Sequence, residues 1–241
     1  LEAQIACAIA RNFRRMQASN TLLFHMDRLS ENIDCINDRM SSIGMHWTFI
    51  IKAFNHYPSA AIQEFSSLRC KSIGSDNLKH LSLLKSLNPS LETWFLNYKG
   101  ISIEDNSIDI NLTHSGNNIT SKTCLMLDID ADRHGHPYEN GLSCNRFGAY
   151  LDCSKLPDQR FFKAWKNLRI PERSTQSLGT SVSFEHIELL KSSGVNHFRL
   201  GEIVLLGRSL MNQQPIDGLR TDVFERNKPV TYHCISTLKP L

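Results

Sequence analysis

The sequence predicts an α/β fold, a closed (β/α)8 barrel of TIM type, and three observations carry that prediction. Short apolar runs rich in β-branched and aromatic residues recur along the 241 residues, amphipathic helical patterns separate several of them, and eight such runs follow the first. Alternating strand and helix points to a parallel sheet, and eight strands suffice to close it. The runs are Thr21–Met26, Thr48–Ile51, Cys70–Ile73, Trp94–Asn97, Ile108–Leu112, Cys124–Ile129, Gly141–Cys144, Thr175–Leu178 and His197–Leu200.

The helical patterns are equally explicit. "SENIDCINDRMSS" sets Ile33, Ile36 and Met40 on one face, and "SAAIQEFSSL" does so with Ile62, Phe65 and Leu68. "SDNLKHLSLLKSL" aligns Leu78, Leu81, Leu84 and Leu87, while "SFEHIELLKSSG" closes on a glycine cap at Gly194. One region departs from the pattern. A parallel crossover ordinarily needs a dozen residues or more and a helix, yet the connections between the runs at 94–97, 108–112, 124–129 and 141–144 are short or polar. "HSGNNITSK" and "HGHPYEN" read as loops. Either these crossovers are degenerate or segments are missing from the chain, and the second is the expectation.

Composition narrows the class. Hydrophobic residues make up 41% and charged residues 21%, ordinary for a globular protein. A net charge of +3 with dispersed basic residues gives no nucleic-acid footprint. No run reaches the roughly 20 apolar residues of a membrane span, so a cytoplasmic protein is expected. The seven cysteines form no CxxC pair, which favours reduced thiols. Residues 1–20 are expected as an N-terminal helical extension and 21–215 as the barrel.

In a (β/α)8 barrel the chemistry sits at the C-terminal ends of the strands, and the chain places charged and small residues there. Lys52 ends the run "WTFII"; as a solitary residue it would be a snorkelling surface lysine. Arg133 follows "CLMLDIDAD", Cys144 and Asn145 follow "GLS", and Arg199 lies in "HFRLGE" with Gly201 behind it. "SLGTSVS" is a strand end running into a loop of small residues, with Thr180, Ser181 and Ser183 ahead of a helix, suited to an anion. An amine, two arginines and a phosphate-sized nest would together suit a phosphorylated carbonyl cofactor. Cys144 reads as a small buried hydrophobe. "DIDADRHGH" offers aspartates and histidines but neither the spacing of a calcium loop nor a third zinc ligand, so no metal is expected.

"HFRLGEIVLLG", "SLGTS" and "IIKAF" together resemble the barrel domain of the alanine racemase superfamily, a pyridoxal 5'-phosphate (PLP) fold, and most of all its ornithine racemase type. The resemblance runs from about Thr21 to Gly207, and "DVFERNKPVTYHCISTLKP" resembles the entry to that type's C-terminal β-domain, here 216–241. It implies an amino-acid racemase, an isomerase acting on a free α-amino acid by α-proton exchange, and a homodimer. Lys52 would carry PLP as an internal aldimine and act as an acid/base group. Arg199 would donate to the pyridine nitrogen, and Arg133 would contact the phenolic oxygen and the substrate carboxylate. Thr180, Ser181 and the backbones of Gly201 and Glu202 would hold the phosphate. His56 stands where the family has a phosphate-binding tyrosine, and Asn145 where the ornithine type has asparagine. The family's second base is a tyrosine from the partner subunit's C-terminal domain. No tyrosine of this chain matches it, Tyr232 lying too early. The alternatives are a PLP-binding homeostasis protein without turnover, and a degenerate barrel with its catalysis lost.

Overall fold

A computed structural model describes residues 22–117, 119–129, 135–137, 144–150, 159–179, 184–209 and 212–226. Strand β1 (Leu22–Phe24) pairs antiparallel with β10 (Phe224–Arg226) outside the main sheet. The eight strands between them are β2 (His46–Ile50), β3 (Ser72–Ser75), β4 (Glu92–Asn97), β5 (Ile110–Thr113), β6 (Thr123–Met126), β7 (Arg146–Tyr150), β8 (Thr175–Gly179) and β9 (His197–Leu200). They are all parallel and close a barrel in chain order, with β9 returning to β2 through the pairs His46–His197 to Phe49–Leu200. The (β/α)8-type barrel expected from the sequence is therefore present.

Period-two alternation decides what each strand residue meets. Ile50, Trp94, Leu96, Ile110, Leu112, Cys124 and Met126 fill the barrel interior as one cluster. Their neighbours Phe49, Ile51, Ile73, Phe95, Leu125, Phe147, Leu178, Phe198 and Leu200 belong to the larger core beneath the helices. Helix α1 (Met26–Ser42) buries Leu29, Ile33, Ile36 and Met40 at helical spacing. After β2 comes a single turn, α2 (Ser59–Ile62), continued as a 3-10 segment (Gln63–Ser67); Ile62, Phe65 and Leu68 are buried as the periodicity requires. Helix α3 (Leu78–Leu87) is capped by Asn77, whose side chain accepts from the Lys79 N–H at 3.1 Å. Helices α4 (Gln159–Asn167), α5 (Phe184–Lys191) and α6 (Glu202–Leu206) follow β7, β8 and β9. Gly194, the expected cap, has φ +95°, which an L side chain rarely adopts.

Two expectations are corrected. Of the strand expected at Gly141–Cys144, residues 141–143 lie outside the described residues, and the strand between β6 and β8 is Arg146–Tyr150. Cys144 precedes it, its buried Sγ lying 3.2 and 2.9 Å from the carbonyls of Thr123 and Arg146, which share its one S–H. Ladder pairing with β8 begins only at Arg146, opposite Thr175. Nor does the sheet need extra segments between β4 and β6: the short connections close parallel pairs as they stand.

The physical reason is on the outer face. Only Phe95 and Leu125 are apolar among the outward residues of these strands; Thr93, Asn97, Asn111, Thr113 and Thr123 alternate with the interior ones at the remaining positions. Four of these side chains, all but Asn111, hold backbone, Thr93 by donating to the Ser107 carbonyl. Asn97 donates to the Ile101 carbonyl at 2.8 Å and accepts from its N–H at 3.0 Å. Thr113 accepts from the Ser115 N–H at 3.1 Å, and Thr123 from the Thr120 N–H at 2.9 Å. Asp109 binds the Thr93 N–H at 2.9 Å and the Lys85 ammonium at 2.7 Å. Polar strand edges dressed by turns replace the helix layer here.

Candidate active site

At the C-terminal mouth, Lys52 stands two residues beyond the end of β2. The Ile51 N–H still donates to the Gly74 carbonyl at 2.8 Å, and Lys52 opens the short 3-10 turn Lys52–Phe54. The ladder thus carries the chain to the rim and releases it where the lysine begins. Lys52 is half-buried.

Arg199 comes from the neighbouring strand β9 and is 3% exposed. Its Nη1 donates to the Ser177 carbonyl at 3.1 Å and the Ser177 hydroxyl at 2.6 Å, and its Nη2 to the Ala149 carbonyl at 2.8 Å. The guanidinium lies over the Tyr150 ring, 5.3 Å from its centroid. Two glycines make the room. A Cβ on Gly148 would fall 3.0 Å from Nη1 and one on Gly179 2.8 Å from Nη2. Five N–H donors meet these three acceptors, so Nε–H and one Nη2–H remain unspent among the described bonds.

A hydrogen-bond chain runs from Arg199 through the barrel interior. His197 Nδ1 lies 2.7 Å from the Ser177 hydroxyl, and its Nε2 3.0 Å from the Thr48 hydroxyl. Thr48 is 2.7 Å from Ser72, which donates to Glu92 at 3.2 Å. Arginine can only donate and a carboxylate can only accept, which orders every proton between them. Ser177 receives from Arg199 and donates to His197 Nδ1; Nε2–H donates to Thr48, Thr48 to Ser72, and Ser72 to Glu92. His197 is accordingly the neutral Nε2–H tautomer, assigned from its partners. Burial holds its pKa well below the ordinary value, with the charges of Arg199 and His46 adding to the effect. Trp94 stacks on its ring at 4.5 Å and 7°.

Three aromatic residues at this mouth escaped the sequence reading. Tyr98, His114 and Tyr150 come from the ends of β4, β5 and β7, with ring centroids 5.9 to 6.3 Å apart. The signal was available: each is an aromatic ring ending or immediately following a strand, in "WFLNY", "INLTH" and "RFGAY". Burial raises the Tyr150 pKa strongly, with Tyr98 adding to the rise, so its phenol stays protonated.

The sequence-predicted residues divide. Lys52, Arg199, Gly201 and Glu202 gather at the C-terminal ends of β2 and β9. A Cβ on Gly201 would come 3.1 Å from the Ile50 carbonyl, so the two strand ends approach closely there. His56 is exposed in the turn after Lys52. Asn145 is corrected: because β7 begins at Arg146, Asn145 stands at the strand's N-terminal end, on the opposite rim from Lys52. Arg133, Thr180 and Ser181 lie outside the described residues, as does most of "DADRHG". Among the described residues no group of three His, Cys, Asp or Glu side chains is placed to hold a metal ion.

No family model and no curated protein matches the sequence. The fold is similar to solved alanine racemases. That from Bartonella henselae, with covalently bound pyridoxal phosphate, superposes with a TM-score of 0.60 at 13% identity over 83% of this chain and 65% of its own. That from Oenococcus oeni gives 0.56 at 14% identity over 88% of this chain and 65% of its own. The Clostridium difficile 630 enzyme in complex with cycloserine gives 0.58 at 11% identity and 89% coverage of this chain. The chain spans just under two thirds of the length of the first two. At these identities the likeness establishes the barrel fold. Among the described residues, no helix is long and apolar enough to cross a membrane.

Proposed function

We propose that the chain is the barrel of a PLP-dependent amino-acid racemase of the alanine racemase type, working by α-proton exchange on a free α-amino acid, as a homodimer. The observation that carries this reading is Arg199: a buried guanidinium in the barrel, fixed by Ser177 and Ala149, with two donors unspent and a rim lysine on the adjacent strand. The residues fit the cofactor. Lys52 would hold its aldehyde carbon and Arg199 would donate to its ring nitrogen. The backbones of Gly201 and Glu202, with Thr180 and Ser181, would receive its phosphate, and His56 would add a donor from the turn. PLP supplies an electron sink for the carbon that loses its proton. A donor that never gives up its proton keeps the ring nitrogen unprotonated and moderates that sink, which suits simple proton exchange. Lys52 would move the proton on one face of Cα, and Arg133 would orient the substrate carboxylate. Tyr150, protonated, can support Arg199 and donate, but cannot abstract.

Borohydride reduction of the PLP-loaded protein followed by peptide mapping tests the cofactor. A pyridoxyl label on Lys52, lost in Lys52→Ala, is expected. Exchange of the α-proton of amino acids in deuterated water tests the reaction. Labelling without exchange would mean a PLP-binding protein without turnover, and no labelling would remove the cofactor reading altogether.

A further inference from the structure

The opposite, N-terminal mouth of the barrel opens into a cavity of about 1020 Å³. It collects the starts of β2, β3, β4, β7, β8 and β9, and they bring charge of one sign. Arg69, Lys71, Arg146 and Arg173 face a single carboxylate, that of Glu92, with His46 on the same rim. Glu92 is already committed, its Oε1 accepting from Trp94 Nε1 at 2.6 Å and from Ser72 at 3.2 Å. Arg146 is oriented by the Ser121 carbonyl at 2.6 Å, and Arg69 stands 3.4 Å from Asp34. The Lys71 ammonium and the Arg173 guanidinium have no hydrogen bond or ion pair among the described residues.

The wall of the cavity is polar as well. Ser174 is 4% exposed, and its hydroxyl has no partner among the described residues. Four permanent cations around one concave surface repel one another and focus a positive potential into it. Guanidinium forks and a mobile ammonium match phosphate oxygens in geometry and charge. The volume is at the upper end of small-molecule sites, which run to about 1,000 Å³.

We propose that this mouth is a binding site for a small molecule carrying two or more phosphate groups, held by Lys71, Arg173 and Arg146, with the Ser174 hydroxyl donating from the wall. The inference is independent of the cofactor reading, because the site lies at the other end of the barrel. Its wall also includes His197, so the ligand would sit beside the chain that ends on Arg199.

Isothermal titration with inorganic pyrophosphate tests it. The wild-type protein should bind saturably and more weakly as salt rises. Lys71→Gln/Arg173→Gln removes two exposed cations that hold no described contact, and should weaken binding at least about tenfold while leaving the melting curve in place. The charge-matched variant Lys79→Gln/Lys99→Gln, exposed on the segments that follow β3 and β4 toward the opposite mouth, should retain this binding. Absence of saturable binding up to about 10 mM pyrophosphate would overturn the proposal. So would an unchanged affinity in Lys71→Gln/Arg173→Gln, or an equal loss in both variants.

Discussion

A cation buried as deeply as Arg199 must be held by dipoles when no carboxylate among the described residues reaches it, and two carbonyls and a hydroxyl do this. The hydroxyl can take part only because its own proton has an acceptor, and that acceptor is a neutral imidazole. Were His197 protonated, Nδ1–H would confront the Ser177 hydroxyl and a second positive charge would lie beside Arg199. The pH consequence has a definite sign. The folded-state pKa of His197 is lowered, first by burial, so below the unfolded value of about 6.5 the unfolded chain binds a proton that the folded chain refuses. Stability is therefore complete above about pH 6.5 and falls as pH drops below it, by up to about 1.4 kcal/mol per pH unit from this residue. Urea melts between pH 7 and 5 should show a shallower loss in His197→Gln than in wild type. Parallel pH profiles would mean that His197 takes up its proton without penalty.

At the scale of elements, the stretch from β4 to β6 shows what was legible in the sequence and what was not. Apolar periodicity marked α1 and α3 correctly because a helix that buries one face must repeat it. Strand positions near 94, 110, 124, 175 and 197 were legible because their residues are buried on both faces. The β7 boundary was missed because "GLSCN" and "RFGAY" are both short and mixed, and the glycine that looks like a strand breaker, Gly148, is there to admit Arg199. The helix-free connections looked like missing chain because a polar outward face carries no periodic signal of its own. Asp109 is the anchor of that region, holding Thr93 and Lys85 together. Burial opposes its ionisation, yet the Lys85 and Thr93 hydrogen bonds more than offset this and its pKa is lowered. Asp109→Ala is expected to cost about 1–3 kcal/mol, the range for a charged hydrogen-bond partner, in equilibrium urea unfolding. Most of the wild-type advantage should vanish as pH falls through the lowered carboxylate pKa. An unchanged midpoint would show that the turn backbone holds the β4–β5 pair unaided.

Over the whole molecule, the two ends of the described chain are tied together at one place beside the barrel. Strand β1 pairs with β10, and Phe24 packs against Phe224 at 5.0 Å and Phe54 at 5.3 Å. The segment preceding β10 is fastened by Asn32, a fully buried amide in the apolar face of α1. Its Nδ2 donates to the Val204 carbonyl at 2.8 Å and the Arg220 carbonyl at 3.0 Å, while its Oδ1 accepts from the Arg220 N–H at 2.5 Å. One side chain thereby satisfies three backbone groups across 172 to 188 residues of sequence, and links α1 to α6 immediately after Arg199 and Gly201. Asn32→Ala leaves those groups buried and unpaired, which costs about 1–3 kcal/mol apiece when no water replaces the partner. A loss of at least about 2 kcal/mol in urea unfolding is expected, with the slope m unchanged if the barrel still unfolds as one unit. Amide exchange should locate the damage: protection should fall in 202–206 and 219–226, with β3 to β6 unaffected. Uniform loss of protection through the barrel would refute the idea that Asn32 is a local strap.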